Sequence, residues 1–208
     1  MSDKKHILIT EIDSEIGECV AARFAAEGWE VSGMVLPGNN SGGKYLECDL
    51  MVRAEAVKGV AGLEKAKGPL KALFVCPKFS LQSITATPFL GSSLADWKNK
   101  LNAWLRLSAN ICWAAGTVMK ARQYGRIIVV TPDFRNVQGD CIMEATVAGA
   151  LHGFVKSFGV EVAGDNVNVN GIFPSLPVDM EALGELSVYL VEEADFVSAQ
   201  LISIQAKK

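Results

Sequence analysis

The sequence predicts an α/β protein built on one doubly wound parallel sheet, and two observations predict it. Short apolar runs alternate with longer stretches of helical periodicity along the whole chain, which is how strands joined by crossover helices read, with both sheet faces covered. The runs themselves, such as Arg126–Val130, are continuous and β-branched rather than alternating, as strands buried on both faces must be. No repeat, low-complexity segment or linker interrupts the pattern, so residues 1–208 are expected to form a single domain.

Each element follows in order. Ile7–Ile9 is a first strand and Ile16–Glu27 a helix stopped at Gly28. Trp29–Leu36 and Tyr45–Cys48 are strands separated by the turn Pro37-Gly38-Asn39-Asn40. Arg53–Leu63 is helical, and Leu70–Val75 is a strand ended by Pro77. Leu94–Arg122 has one long helical pattern with Asp96 near its start, and Gly125 breaks it. The strand Arg126–Val130, the Ala/Gly-rich helix Cys141–Ala163 and the strand Val167–Phe173 follow. Ala182–Glu193 is a helix and Phe196–Ile204 a last strand.

Composition excludes several functions. Half of the residues are hydrophobic, about a fifth are charged and the net charge is −3, with none of the basic patches that nucleic acid requires. No signal-peptide pattern opens the chain and no apolar stretch is long enough for a membrane span, so a soluble cytoplasmic protein is expected. Five scattered cysteines with no C-x-x-C pair read as reduced and mostly buried, with Cys76 and Cys141 the candidates for a reactive thiol. Two distant histidines give no metal site.

The turn after the first strand carries the question of function. A strand, a turn and an amphipathic helix open dinucleotide-binding folds, and the turn is glycine-rich because backbone must approach a pyrophosphate closely. Here it reads Thr10-Glu11-Ile12-Asp13-Ser14-Glu15-Ile16-Gly17. Glu11 and Glu15 obstruct that approach, and with Asp13 they add negative charge at a helix N-terminus that would otherwise attract phosphate. A like-charge contact at about 4 Å costs on the order of 4 kcal/mol at an effective dielectric near 20. These acids therefore read as caps of a helix whose phosphate guest is gone.

Several segments taken together resemble the short-chain dehydrogenase/reductase family over nearly the whole chain. They are Gly68–Val75, Asp96-Trp97, Gly125–Val130, the helix–strand–proline stretch His152–Pro174 and Ala194–Ile204. The resemblance implies a Rossmann-like fold. It also implies a phosphate turn Thr-Gly-x-x-x-Gly-x-Gly, of which only Thr10 and Gly17 remain, with Glu11, Asp13 and Glu15 in between. After the second strand, Met34-Val35-Leu36 offers neither an acid nor an arginine for the ribose. Asp49 matches an acidic position beside the adenine, and Val75-Cys76-Pro77-Lys78 replaces an Asn-Asn-Ala-Gly motif.

The family's catalytic set is Asn, Ser, Tyr and Lys. The Asn position falls on Trp104 and the Ser position on Pro132 or its neighbour Thr131. The Tyr and Lys positions fall on Glu144 and Ala148, or, one residue earlier, on Met143 and Val147. Glu144 is considered as a replacement acid, but a carboxylate on the first turns of a helix is more often solvated or a partner of the helix dipole. Tyr45, Tyr124 and Tyr189 lack a lysine four residues on, His152 has Lys156 there, and all four read as packing or surface residues. The segment between Pro174 and the final strand leaves room for one helix, a shortened substrate lid.

The helices 94–122 and 141–163, which pair subunits in the resembling family, stay apolar on more than one face. Trp104, Leu105, Leu107, Ile111, Trp113, Val118 and Met119 load the first, and Ala145, Ala148, Gly149, Leu151, Phe154, Val155, Phe158 and Val160 the second. The resulting expectation is a chain that is no enzyme by itself and binds no cofactor. It would be the inactive subunit of a hetero-oligomer, a tetramer by the resemblance, with an active NAD-dependent relative docked on these helices. The family contains heteromers of that kind, among them the alcohol dehydrogenase of anaerobic toluene degradation that acts on 2-(hydroxybenzyl)succinyl-CoA. Two alternatives stay open: an enzyme of altered mechanism using Glu144, Thr131 or Cys141, and a stand-alone sensor of a nucleotide or acyl-CoA.

Overall fold

A computed structural model describes residues 5–39, 41–76, 89–131, 133 and 141–205. Seven strands form one sheet in the order β3-β2-β1-β4-β5-β6-β7, every neighbouring pair parallel. They are β1 (His6–Thr10), β2 (Glu30–Val35), β3 (Leu46–Glu47), β4 (Ala72–Val75), β5 (Gly125–Val130), β6 (Val167–Pro174) and β7 (Leu201–Ile204). The helices are α1 (Glu15–Ala26), α2 (Arg53–Lys67), α3 (Leu94–Leu101), α4 (Leu107–Ala121), α5 (Ile142–Val162) and α6 (Met180–Glu192). The doubly wound sheet is as expected.

Strand alternation divides the core between the two faces. Leu8, Leu73, Val75, Ile127, Val129 and Val169 point to one face, where they are covered by Val60 of α2, Ile111 of α4 and Leu151 of α5. Ile7, Ile9, Phe74, Ile128, Val130 and Ile172 point to the other, under Val20 and Phe24 of α1 and Leu183 and Val191 of α6. A helix on each side of β1 and β4 brings the N-terminus of α1 to the carboxyl edge of the sheet, where such folds place their ligands. The segment between β6 and β7 carries the single helix α6.

Two expected elements are corrected. The helix expected over 94–122 is broken by a π-helical turn at Asn102–Arg106, closed by the Leu107 amide donating to the Asn102 carbonyl. Ser108 donates to the Trp104 carbonyl at 2.6 Å inside this turn, and Trp104 is rotated into the core. Hydrophobic periodicity does not report a single inserted residue, and such turns recur at functional sites. The last strand starts at Leu201 rather than Phe196. Asparagine side chains of β6 hold the preceding segment off the ladder: Asn168 donates to the Asp195 carbonyl and Asn170 to the Val197 carbonyl, leaving Phe196 82% exposed.

Among the described residues no helix is long and apolar enough to cross a membrane. His6 is fully buried on β1, with Nδ1 at 2.9 Å from the Gly68 carbonyl and Nε2 at 2.9 Å from Ser32 Oγ. A carbonyl only accepts, so Nδ1 carries the proton and Nε2 accepts from the serine hydroxyl. Burial, and less strongly the nearby Lys67, hold the His6 pKa below its ordinary value. The folded state therefore binds fewer protons at this site than the unfolded chain. Its stabilisation is full above the unfolded pKa of about 6.5 and is lost as pH falls below it. Urea unfolding from pH 7.5 down to 5 is expected to show falling stability, with a shallower fall in His6→Gln.

Candidate functional site

The turn between β1 and α1 is built tightly. Glu11 stands at φ +46°, a left-handed conformation that glycine adopts without cost, and the residue is buried. Its carbonyl receives the Ser14 hydroxyl at 2.7 Å and the Ser14 amide at 2.9 Å. Ser14 Oγ accepts in turn from the Gly17 amide at 3.1 Å, capping α1. Gly17 is required by close approach, since a Cβ there would lie 2.5 Å from the Glu11 carbonyl oxygen. At the end of β4 the Cys76 amide donates to Thr10 Oγ1 at 3.0 Å, and Cys76 Sγ lies 3.6 Å from Ser14 Oγ. Burial pushes the Cys76 thiol up to about 12, so it is neutral and unreactive at physiological pH. Cys141 is also buried.

These residues do not fit a nicotinamide dinucleotide. The Glu11 carboxylate is buried inside the turn, and Glu15 is exposed at the first position of α1, where a pyrophosphate oxygen would sit. Asp49 serves its own loop: its carboxylate accepts from the Met51 amide at 2.9 Å, and its amide donates to Glu55.

A second group of polar residues gathers around the start of α5, at the carboxyl edge of β5. Glu144, expected to be solvated, is buried to 4% exposure and pairs with Lys100 of α3 at 3.0 Å. The same ammonium lies 5.7 Å from the centre of the Trp104 ring. The position that the family gives to tyrosine thus holds a carboxylate, and the cation beside it comes from α3 rather than from Ala148, which is buried. The break at 102–106 turns Trp104 inward close to Lys100. Thr131, buried at the end of β5, lies 3.0 Å through Oγ1 from His152 Nε2, and the His152 ring packs 5.2 Å from Phe173. His152 is thus tied to the end of β5 as well as packed on Phe173. Residues 144, 148 and 152 recur at helical spacing on one face of α5. Met143 and Val147 are buried, Val147 in the core between α5 and the sheet, so the register with Glu144 and Ala148 is the one that places a polar group in the site. Pro132 lies outside the described residues.

Sequence reasoning missed Lys100, and it weighed His152 only as a packing or surface residue. A lysine on α3 carries no spacing signal toward α5. The histidine, eight residues beyond Glu144, lies off the position counted back from the strand Val167–Phe173.

Comparisons with known proteins identify the family and the fold. Residues 12–189 match the family model described as enoyl-(acyl carrier protein) reductase, a short-chain dehydrogenase/reductase family. A curated relative, the short-chain reductase protein NovJ of Streptomyces niveus, is 24% identical over 96% of this chain and 79% of its own length. The fold matches acetoin dehydrogenase from Enterobacter cloacae with a TM-score of 0.85, at 18% identity over 99% of this chain and 95% of that one. ElxO solved with NADP bound matches with a TM-score of 0.83, at 15% identity over 97% of each chain. These findings overturn the expectation that the chain is no enzyme by itself: the matching family and the curated relative are reductases.

Proposed function

Because the chain belongs to the short-chain dehydrogenase/reductase family, we propose that it is an enzyme of that fold with an altered acid–base centre, in which Glu144 held by Lys100 stands for the tyrosine–lysine pair. The observation that carries this reading is the buried Glu144 carboxylate at 3.0 Å from Lys100, on the face of α5 that turns toward the carboxyl edge of β5. A carboxylate, an ammonium and a hydroxyl support proton transfer next to a carbonyl. The family description supports an acyl thioester as the substrate class.

Glu144 takes the proton from the carbon next to the thioester carbonyl. The C–H electron pair becomes the carbon–carbon double bond, and the carbonyl π pair moves onto oxygen. Lys100 and the Thr131 hydroxyl stabilise that oxygen, and reversal returns a proton to carbon. The experiment is α-hydrogen exchange of acetoacetyl-CoA in deuterated water, followed by proton NMR. Exchange above the buffer rate that falls by roughly two orders of magnitude in Glu144→Gln, within the range of a general base, supports the reading. Exchange no faster than buffer, or unchanged in Glu144→Gln, contradicts it.

A second reading concerns assembly, favoured by the outward surface of α4 and α5. Leu107, Ile111, Met119, Leu151 and Val155 are consumed by the core, but Trp113 is 46%, Ile142 40% and Val160 73% exposed. A Cβ at Gly149 or Gly153 would meet nothing within 4 Å, so the outer strip of α5 is open at these two positions. We propose that a family relative with an intact glycine-rich turn docks there, giving a hetero-oligomeric oxidoreductase. Trp113→Asp with Val160→Asp is expected to release this chain from the complex in size-exclusion chromatography with light scattering, with the circular dichroism unchanged.

A further inference from the structure

We propose that the β1–α1 turn is closed on itself by its own side chains, so that this chain takes up no nicotinamide dinucleotide. The inference concerns the opposite end of the site from Glu144 and stands apart from the acid–base reading.

Part of the turn's hydrogen-bonding capacity is spent within the turn itself. The Gly17 amide in the first turn of α1 is held by Ser14 Oγ at 3.1 Å, and the Ser14 hydroxyl is itself spent on the Glu11 carbonyl at 2.7 Å. The amide that follows β4 is held by Thr10 at 3.0 Å. The space is filled as well. Ile12 is buried and lies over Gly33 of β2, where an added Cβ would come within 2.4 Å of Ile12 Cγ2 and 2.7 Å of Tyr45 Cδ1. A ribose entering past β2 would have to displace both side chains. The charge of the turn itself has the wrong sign: Glu11, Asp13, Glu15 and Glu18 are the acidic side chains of residues 10–18, no lysine or arginine stands among them, and Lys44 of the neighbouring loop lies 4.9 Å over the Tyr45 ring instead. Each carboxylate opposes a pyrophosphate at the positive end of α1, and the helix dipole already has partners in Glu15 and Glu18.

The turn is therefore a finished structural element, with the left-handed residue, the cap and the buried isoleucine each fitted to the next. Its closure predicts where a nucleotide found in any assembly resides, namely on another subunit.

The test is isothermal titration of the isolated chain with NAD+, NADH, NADP+ and NADPH, a readout that needs no substrate and no turnover. Wild-type protein is expected to give no saturable heat up to millimolar nucleotide. In the variant Glu11→Gly/Glu15→Gly, checked for folding by circular dichroism, affinity is expected to rise at least about tenfold into the measurable range. Saturation of the wild type at micromolar nucleotide overturns the proposal. So does a folded double variant as silent as the wild type, because the acidic turn would then not be what excludes the ligand.

Discussion

Replacing Lys100 with Met is expected to lower the unfolding free energy by about 2 kcal/mol. Lys100 lies 3.0 Å from a Glu144 side chain that is 5% exposed. Removing the cation leaves a desolvated carboxylate without its counter-charge, and breaking a buried pair in this way typically costs about 3–5 kcal/mol. The lower figure is expected here because Lys100 keeps a third of its side chain in water, where screening weakens the pair. Removing both charges tells the story apart from simple packing loss. Lys100→Met/Glu144→Leu leaves no uncompensated charge and is expected to recover most of the lost stability. Urea denaturation of the wild type, Lys100→Met, Glu144→Leu and the double variant, compared at constant slope, measures it.

Gly17→Ala is expected to cost about 2–3 kcal/mol. The new methyl would meet three backbone atoms, the Glu11 carbonyl oxygen at 2.5 Å and two atoms of Ile12 at 2.7 and 2.9 Å, none of which can rotate away. The control lies on α2. A Cβ at Gly62 meets nothing within 4 Å, so Gly62→Ala gains helix propensity without a clash and is expected to stabilise by up to about 1 kcal/mol. Thermal or urea unfolding of the pair gives opposite signs if the turn is packed as described.

The sheet was legible because its evidence is local. Ile7–Ile9, Arg126–Val130 and Val167–Phe173 are continuous apolar runs, and parallel strands buried on both faces cannot be anything else in this alternation. Boundaries slipped where side chains, not the ladder, decide. Phe196–Gln200 reads as strand by composition, yet Asn168 and Asn170 capture the carbonyls of Asp195 and Val197, and the strand begins only at Leu201. The break in 94–122 was hidden because one inserted residue changes the phase of a helix without changing its apolar content.

The phosphate turn was also legible, since Glu11 and Glu15 stand in sequence where glycines belong. The acid–base group was only half visible. Glu144 could be placed by counting from the strand Val167–Phe173, but its partner comes from another helix at a sequence distance that carries no periodicity. Solvation was the wrong expectation for Glu144 because it is paired with Lys100, which reaches it from α3 and lies against Trp104 of the π-helical turn. The outer faces of α4 and α5 were over-counted for a related reason: a helix that covers a sheet needs a wide apolar stripe, and most of the large side chains belong to it.

The measurement that tests the account most directly is native mass spectrometry of the protein purified untagged from its own source, which reports subunit composition and bound small molecules together. The account predicts a second, heavier polypeptide of the same family in fixed ratio, with nicotinamide nucleotide on that subunit and none on this one. Isolation of this chain alone, carrying a bound nicotinamide nucleotide, would contradict it.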